Sequence, residues 1–319
     1  MPILDERHDH PHAVGGDVAW NESWYFNAYA PAADAGFVSR LGWRPNAGRA
    51  HSLLVVWLPG GAVEHLHGDR SATSIPDGAL EVGGVRFECL EPLRVWRVSA
   101  AVTTPRGRKV ALEATFRALT AAIGVDAPAS VSNDAARAAS VGSLASGHLE
   151  QAGRWSGWIE VDGARVSIDG RGNRDKSWGP RKIDGSRGLT MWRWFSVNVG
   201  DDFHLGGLRM GTAAGDLHRG WIWRRGEATS VRRWDVRTET ASDRLTPRRL
   251  DLTVTDKHGA IERLQGEVLR TVPLELPDAG GMLVLESLTR WTRDGAEGSG
   301  IAEYAHLLDA AGRPTAAVE

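Results

Sequence analysis

The chain has 319 residues and a formal net charge of -2, with 42% hydrophobic and 24% charged residues. That length can bury one large core or two ordinary ones, and near-neutral charge gives no electrostatic footing for nucleic acid or an anionic membrane. A single cysteine, Cys89, excludes an intramolecular disulfide, no apolar run is long enough to span a bilayer, and MPILDERHDHPH has no signal-peptide core, so the expectation is a cytoplasmic protein without membrane insertion.

In chain order, the N-terminal HDHPH run carries His8, His10 and His12, and such terminal tracts are usually disordered. Residues 51–59, HSLLVVWLP, form an apolar strand that stops at Pro59-Gly60-Gly61. Glu64-His65-Leu66-His67 follows, with His65 and His67 on one strand face, a spacing used by metal sites, but no third ligand is evident nearby. Residues 109–117, KVALEATFR, alternate, with Val110, Leu112 and Phe116 on one face. Residues 133–146, NDAARAASVGSLAS, read equally as a helix capped by Asn133 or as a linker. Asp162-Gly163 between two β-rich runs predicts a hairpin over residues 154–168. Residues 170–181, GRGNRDKSWGPR, read as the exit of a strand plus a connection, since two glycines open it and Gly179-Pro180 closes it. MWRWFSVNV at 191–199 alternates again, residues 250–273 pair across Asp256-Lys257-His258-Gly259, and residues 282–308 pair across a Gly-rich turn.

This spacing is that of barrels or sandwiches of antiparallel strands. A faint internal repeat lays residues 36–60 on residues 203–226, matching Arg40 to Arg209 and Trp57 to Trp223, each copy preceded by an aromatic stretch. The fold class expected is all-β, with two consecutive antiparallel barrel or sandwich domains at 1–180 and 181–319.

The run GRGNRDKSWGPR, together with WNESWYFN at 20–27, GRWSGWIEVDG at 153–163 and GIAEYAH at 300–306, resembles a bacterial family of two-domain lipocalin-like (calycin) proteins. That family is related to carotenoid 1,2-hydratases, AttH-like proteins and the kievitone-hydratase type. The resemblance implies two β-barrel-like domains and a ligand cavity, and chemistry that adds or removes water or closes rings. Lys176 departs from it, standing where many relatives carry His.

Hydration needs a proton donor, a base for the attacking water and a sheltered cavity. The catalytic candidates are Asp175 in the signature and Glu303, Tyr304 and His306 in the last strand, where period two sets Tyr304 and His306 on one face and Glu303 on the other. The ligand-binding candidates are Arg174, paired with Asp175, together with Trp178, Trp192, Trp194 and His204. Trp192 and Trp194 share one face, Arg193 and Phe195 the other. Fourteen tryptophans against three tyrosines suit an aromatic-walled interior, and for each Trp singly ordinary core packing is the simpler reading. Cys89 reads as core, and no nucleophile elbow, phosphate loop or dinucleotide fingerprint appears. The expected function is a hydratase, dehydratase or cyclase acting without cofactor or metal on a small lipophilic substrate of isoprenoid or polyketide type. The runner-up is a non-catalytic carrier of a hydrophobic ligand. No nucleic-acid partner is expected, and a homodimer is left open.

Overall fold

The computed structural model describes residues 3–126, 145–181, 189–212, 215–274, 282–316 and 318. The helix-or-linker stretch lies, up to residue 144, outside them. The described residues divide into an N-terminal unit, 3–126 with 145–181, and a C-terminal unit from 189 onward.

In the N-terminal unit the strands are β1 (Trp20–Ala30), β2 (Ala35–Arg44), β3 (Arg49–Trp57), β4 (Val63–Ser71), β5 (Leu80–Val82), β6 (Val85–Glu91), β7 (Val95–Thr103), β8 (Lys109–Ala118), β9 (Ile123–Asp126), β10 (Gly147–Val161) and β11 (Ala164–Pro180). They form one antiparallel sheet in the order β4-β3-β2-β1-β11-β10-β8-β7-β6-β5, with β9 beside β10, and the sheet is nearly closed. The inner face carries Trp24, Phe26, Phe37, Trp43, Phe87, Phe116 and Trp155. Phe26 is the hub, meeting Phe87 and Trp155 edge-on at centroid distances of 4.9 and 5.7 Å, the geometry that the aromatic quadrupole favours.

The C-terminal unit is a closed eight-stranded barrel in sequence order: β12 (Leu189–Val199), β13 (Phe203–Thr212), β14 (Gly215–Arg224), β15 (Glu227–Thr240), β16 (Pro247–Asp256), β17 (Ile261–Leu274), β18 (Met282–Arg293) and β19 (Ala296–Leu307). Phe195, Trp234, Trp291 and Tyr304 meet inside it, with Phe195 stacked on Trp234 at 5.4 Å. Eight strands enclose an interior that side chains can fill or that can hold one small ligand.

The Asp162-Gly163 turn forms as expected, both residues at positive φ (50° and 86°), joining β10 to β11. The signature run does not form a connection. GRGNRDKSWGP continues β11, pairing with β1 from Arg171 opposite Tyr29 to Pro180 opposite Trp20. Its glycines are there for close approach: a Cβ on Gly170 or Gly172 would stand 2.1 or 1.9 Å from the carbonyl oxygens of Tyr29 and Asn27. The charged residues suggested a loop, but a strand needs only backbone donors and acceptors, and these are met on both sides.

The repeat is real at the level of hairpins. β1, β2 and β3 recur as β12, β13 and β14, and the pairing of β11 with β1 recurs as that of β19 with β12. Gly298 and Gly300 lie against the carbonyls of Asn198 and Ser196 as the signature glycines lie against β1. The sequence alignment is one residue out: Arg40 faces Tyr25, whereas Arg209 faces Arg193. A slip of one residue exchanges the two faces of a strand.

Candidate functional site

Alternation along β11 sends Arg174, Lys176 and Trp178 inward and Asp175 and Ser177 to the other face. Arg174 and Asp175, expected as a pair, are therefore back to back. Arg174 instead meets Asp9: its Nη1 donates to Oδ1 at 2.5 Å and its Nη2 to Oδ2 at 3.2 Å, while its Nε donates to Gln151 at 2.8 Å. The backbone N–H of Leu93 and the indole N–H of Trp96 also donate to Asp9. Burial raises the Asp9 carboxyl, but Arg174 and these donors outweigh it and hold it below its ordinary value. Lys176 and Glu22, both fully buried, stand 2.8 Å apart, and Lys176 also donates to the carbonyls of His8 and His10. Burial pushes the Lys176 ammonium down, and Glu22 opposes this.

The segment supplying Asp9 is the histidine tract expected to be disordered. A 3₁₀ turn at Glu6–Asp9, capped by Asp5, lays it inside the unit. His12 stacks on Trp178 at 4.1 Å and pairs with Glu22 at 2.8 Å. Trp178 is thus sandwiched in a packed interior, and its neighbour Arg174 is a buried anchor.

The opposite face of the same strands is different in character. Cross-strand register places Glu150 of β10, Asp175 of β11, Tyr25 of β1 and Arg40 of β2 in one row. The next row is His148, Ser177, Ser23 and Gly42, ending at His51 of β3. Ser23 and Ser177 share a hydrogen bond of 3.1 Å. Two carboxylates thus stand directly opposite each other, an arrangement that costs stability unless a cation or proton attends it. His148 attends it: its Nε2 lies 3.0 Å from Glu150 Oε1. Burial pushes His148 down, yet the Glu150 hydrogen bond and the charges of Asp175 and Glu150 outweigh it and raise the imidazole above its ordinary value. His51 is the reverse case. Burial and the nearby guanidinium groups, Arg40 first, push it down to about 2, and Arg40 bonds its Nε2.

The C-terminal unit repeats the motif. Glu286 of β18 faces Glu303 of β19, and Glu303 faces Trp194 of β12, as Glu150 faces Asp175 and Asp175 faces Tyr25. The indole N–H of Trp192 donates to Glu303. Trp192, Trp194 and Glu303 therefore share one face of the barrel wall. Tyr304 lies on the inner face with Phe195. Its hydroxyl is 2.6 Å from Thr238 Oγ1, and the Arg193 guanidinium lies 4.3 Å over its ring. His306 follows on that same inner face. His204 lies on the outer face, held by Asn198 at 2.8 Å and the Asp201 carbonyl at 3.1 Å beside the β12–β13 turn. Asp175, Arg174 and Trp178 belong to the N-terminal unit; Tyr304, His306, Glu303, Trp192, Trp194 and His204 belong to the other.

Sequence reasoning missed Glu150, His148, Tyr25 and Glu286. A signal was present: Asp175 and Glu303 each stand three residues after the second glycine of a Gly-x-Gly pair, and each lies opposite a glutamate on the preceding strand. Among the described residues, no cluster of three His, Cys, Asp or Glu groups could hold a metal ion, and no helix is long and apolar enough to cross a membrane.

Two consecutive antiparallel β domains, one nearly closed and one a closed barrel, each pairing a Gly-x-Gly strand with its first strand, define a two-domain lipocalin-like protein. Solved structures share the fold, three of them as follows. An AttH-like protein from Nitrosomonas europaea has a TM-score of 0.68 at 14% identity, over 96% of this chain and 98% of that one. Kievitone hydratase from Nectria haematococca has a TM-score of 0.64 at 13% identity, over 96% and 93%. CghA with Sch210972 has a TM-score of 0.55 at 13% identity, over 91% and 89%. No curated protein matches the sequence. The chain belongs to the family described as domain of unknown function DUF7064, matched over residues 5–308.

Proposed function

We propose that the chain is an acid–base catalyst of hydratase or cyclase type acting on a small lipophilic molecule, with Asp175 and His148 as its proton-transfer groups. The observation that carries this reading is the row of Glu150, Asp175 and Tyr25 with His148, its imidazole raised above its ordinary pKa, hydrogen-bonded to Glu150. Glu150 orients His148. The imidazolium gives its proton to the substrate, water bonds to the carbon left electron-poor, and the proton lost by that water passes to Asp175. Reversal gives dehydration. Ring closure follows the same path with a substrate nucleophile in place of water. An imidazolium is too weak an acid for an isolated alkene, so the fitting substrate has a double bond conjugated to a carbonyl or activated by a phenol, as in polyketide-like compounds. The shared fold with kievitone hydratase supports the reaction class. A carrier has no need of opposed carboxylates with a histidine hydrogen-bonded beside them.

The test is mass spectrometry of a lipophilic metabolite extract incubated with wild-type protein and with Asp175→Asn. Features that gain or lose one water, or isomerise to a cyclised form, with the wild type alone support the reading. Ligands retained by both proteins and converted by neither overturn it.

A further inference from the structure

At the end of the C-terminal barrel where β15 turns into β16, the inner face becomes polar. Arg193, Tyr304 and His306 lie there on two neighbouring strands, with Thr238 across the barrel. Phe195, Trp234 and Trp291 form an aromatic floor beneath them. His306 is 1% exposed, and among the described residues neither ring nitrogen has a hydrogen-bond partner. A buried imidazole with both nitrogens idle is costly, because it has lost water and gained nothing. The contrast with Arg174, Lys176 and Asp9, whose buried polar atoms are all engaged with neighbours, is sharp.

We propose that this polar end of the C-terminal barrel is a second small-molecule site, taking a flat ligand that carries a carboxylate. The idle imidazole supplies one donor. The buried Arg193 guanidinium supplies positive charge, anchored by its bonds from Nη1 to the carbonyls of Trp192 and Ala305. After burial, the positive charge of Arg193 acts on His306 more strongly than the negative charge of Asp243 in the β15–β16 turn, so the local potential favours an anion. The aromatic floor limits depth and favours a ring over a long chain. This site is separate from the Asp175 row and stands or falls independently of it.

The probe is benzoate, with benzamide as its uncharged counterpart, titrated calorimetrically into the full chain. The expected result is saturable benzoate binding, with benzamide at least about tenfold weaker, and at least about tenfold loss of benzoate affinity in His306→Phe, while Asp175→Asn binds as wild type. In wild-type protein labelled with ¹⁵N-histidine, benzoate shifts the His306 ring nitrogens, a readout that does not depend on the variant folding. Benzoate that fails to saturate by about 20 mM, that leaves those nitrogens unmoved, or that binds folded His306→Phe equally well overturns the proposal.

Discussion

Asp9→Ala tests whether the N-terminal strap is part of the fold or merely lies on it. Asp9 and Arg174 are both buried, their side chains 0% and 1% exposed. Removing the carboxylate leaves a guanidinium inside a barrel with Gln151 as its remaining side-chain acceptor in this cluster, and strands the N–H groups of Leu93 and Trp96. Breaking a buried pair from one side costs about 3–5 kcal/mol. At about 2–4 °C per kcal/mol for a domain of this size, one calorimetric transition of the full chain should fall by roughly 6–20 °C. The double variant Asp9→Leu with Arg174→Met should recover most of that loss, because removing both charges together strands neither. A loss below about 1 kcal/mol for Asp9→Ala, or additive losses in the double variant, would refute the reasoning. The acid side has a fixed sign. Asp9 is held below its unfolded value near 3.8, so its contribution is present above that pH and is lost as pH falls through the folded value.

The other outcomes are as definite. Gly172→Ala puts a methyl group into the Asn27 carbonyl, and chemical denaturation should show a loss of about 1–3 kcal/mol or insoluble protein; wild-type stability would mean that β1 and β11 can separate at little cost. His306→Leu removes an orphaned polar group at similar volume, and the same assay should show unchanged or higher stability, by up to about 1–3 kcal/mol; a large loss would point to a partner for the imidazole. His51 and His306 are pushed down to about 2 and about 3 from 6.5. Below pH 6.5 the unfolded chain therefore binds protons that the folded one excludes, and stability measured from pH 7 to 5 should fall by about 2 kcal/mol for each. His148, raised instead, contributes no slope below 6.5, and a flat profile would contradict the neutral state of the other two.

What the sequence made legible followed local rules. The Asp162-Gly163 turn, the alternation of KVALEATFR and the tandem β-barrel plan each rest on residues close in the chain or on a motif. What it hid was register and long-range closure. Nothing local says that Asp9 reaches Arg174, 165 residues away, or that Glu150 stands opposite Asp175. GRGNRDKSWGPR misled because its composition matches a loop while its glycines serve a close strand contact. Arg174 and Asp175 misled because adjacency in sequence is opposition in a strand.

That opposition separates two uses of charge within a single strand. On the inner face of β11, Arg174 and Lys176 have acceptors for their charge from Asp9, Gln151, Glu22 and the backbone, and a ligand arriving there would have to break bonds before making any. On the outer face, Asp175 confronts a second carboxylate, with a histidine next to it whose pKa is raised by both. Opposed carboxylates weigh against each other as a brace, and a histidine hydrogen-bonded beside them suits proton transfer. The comparison yields an ordering that stability measurements can check: Asp175→Asn should leave the melting temperature unchanged or raise it while removing turnover, whereas Arg174→Met alone should lower it sharply. If Asp175→Asn proves the more destabilising of the two, the row on the outer face is a structural brace, and the proton relay assigned to it is wrong.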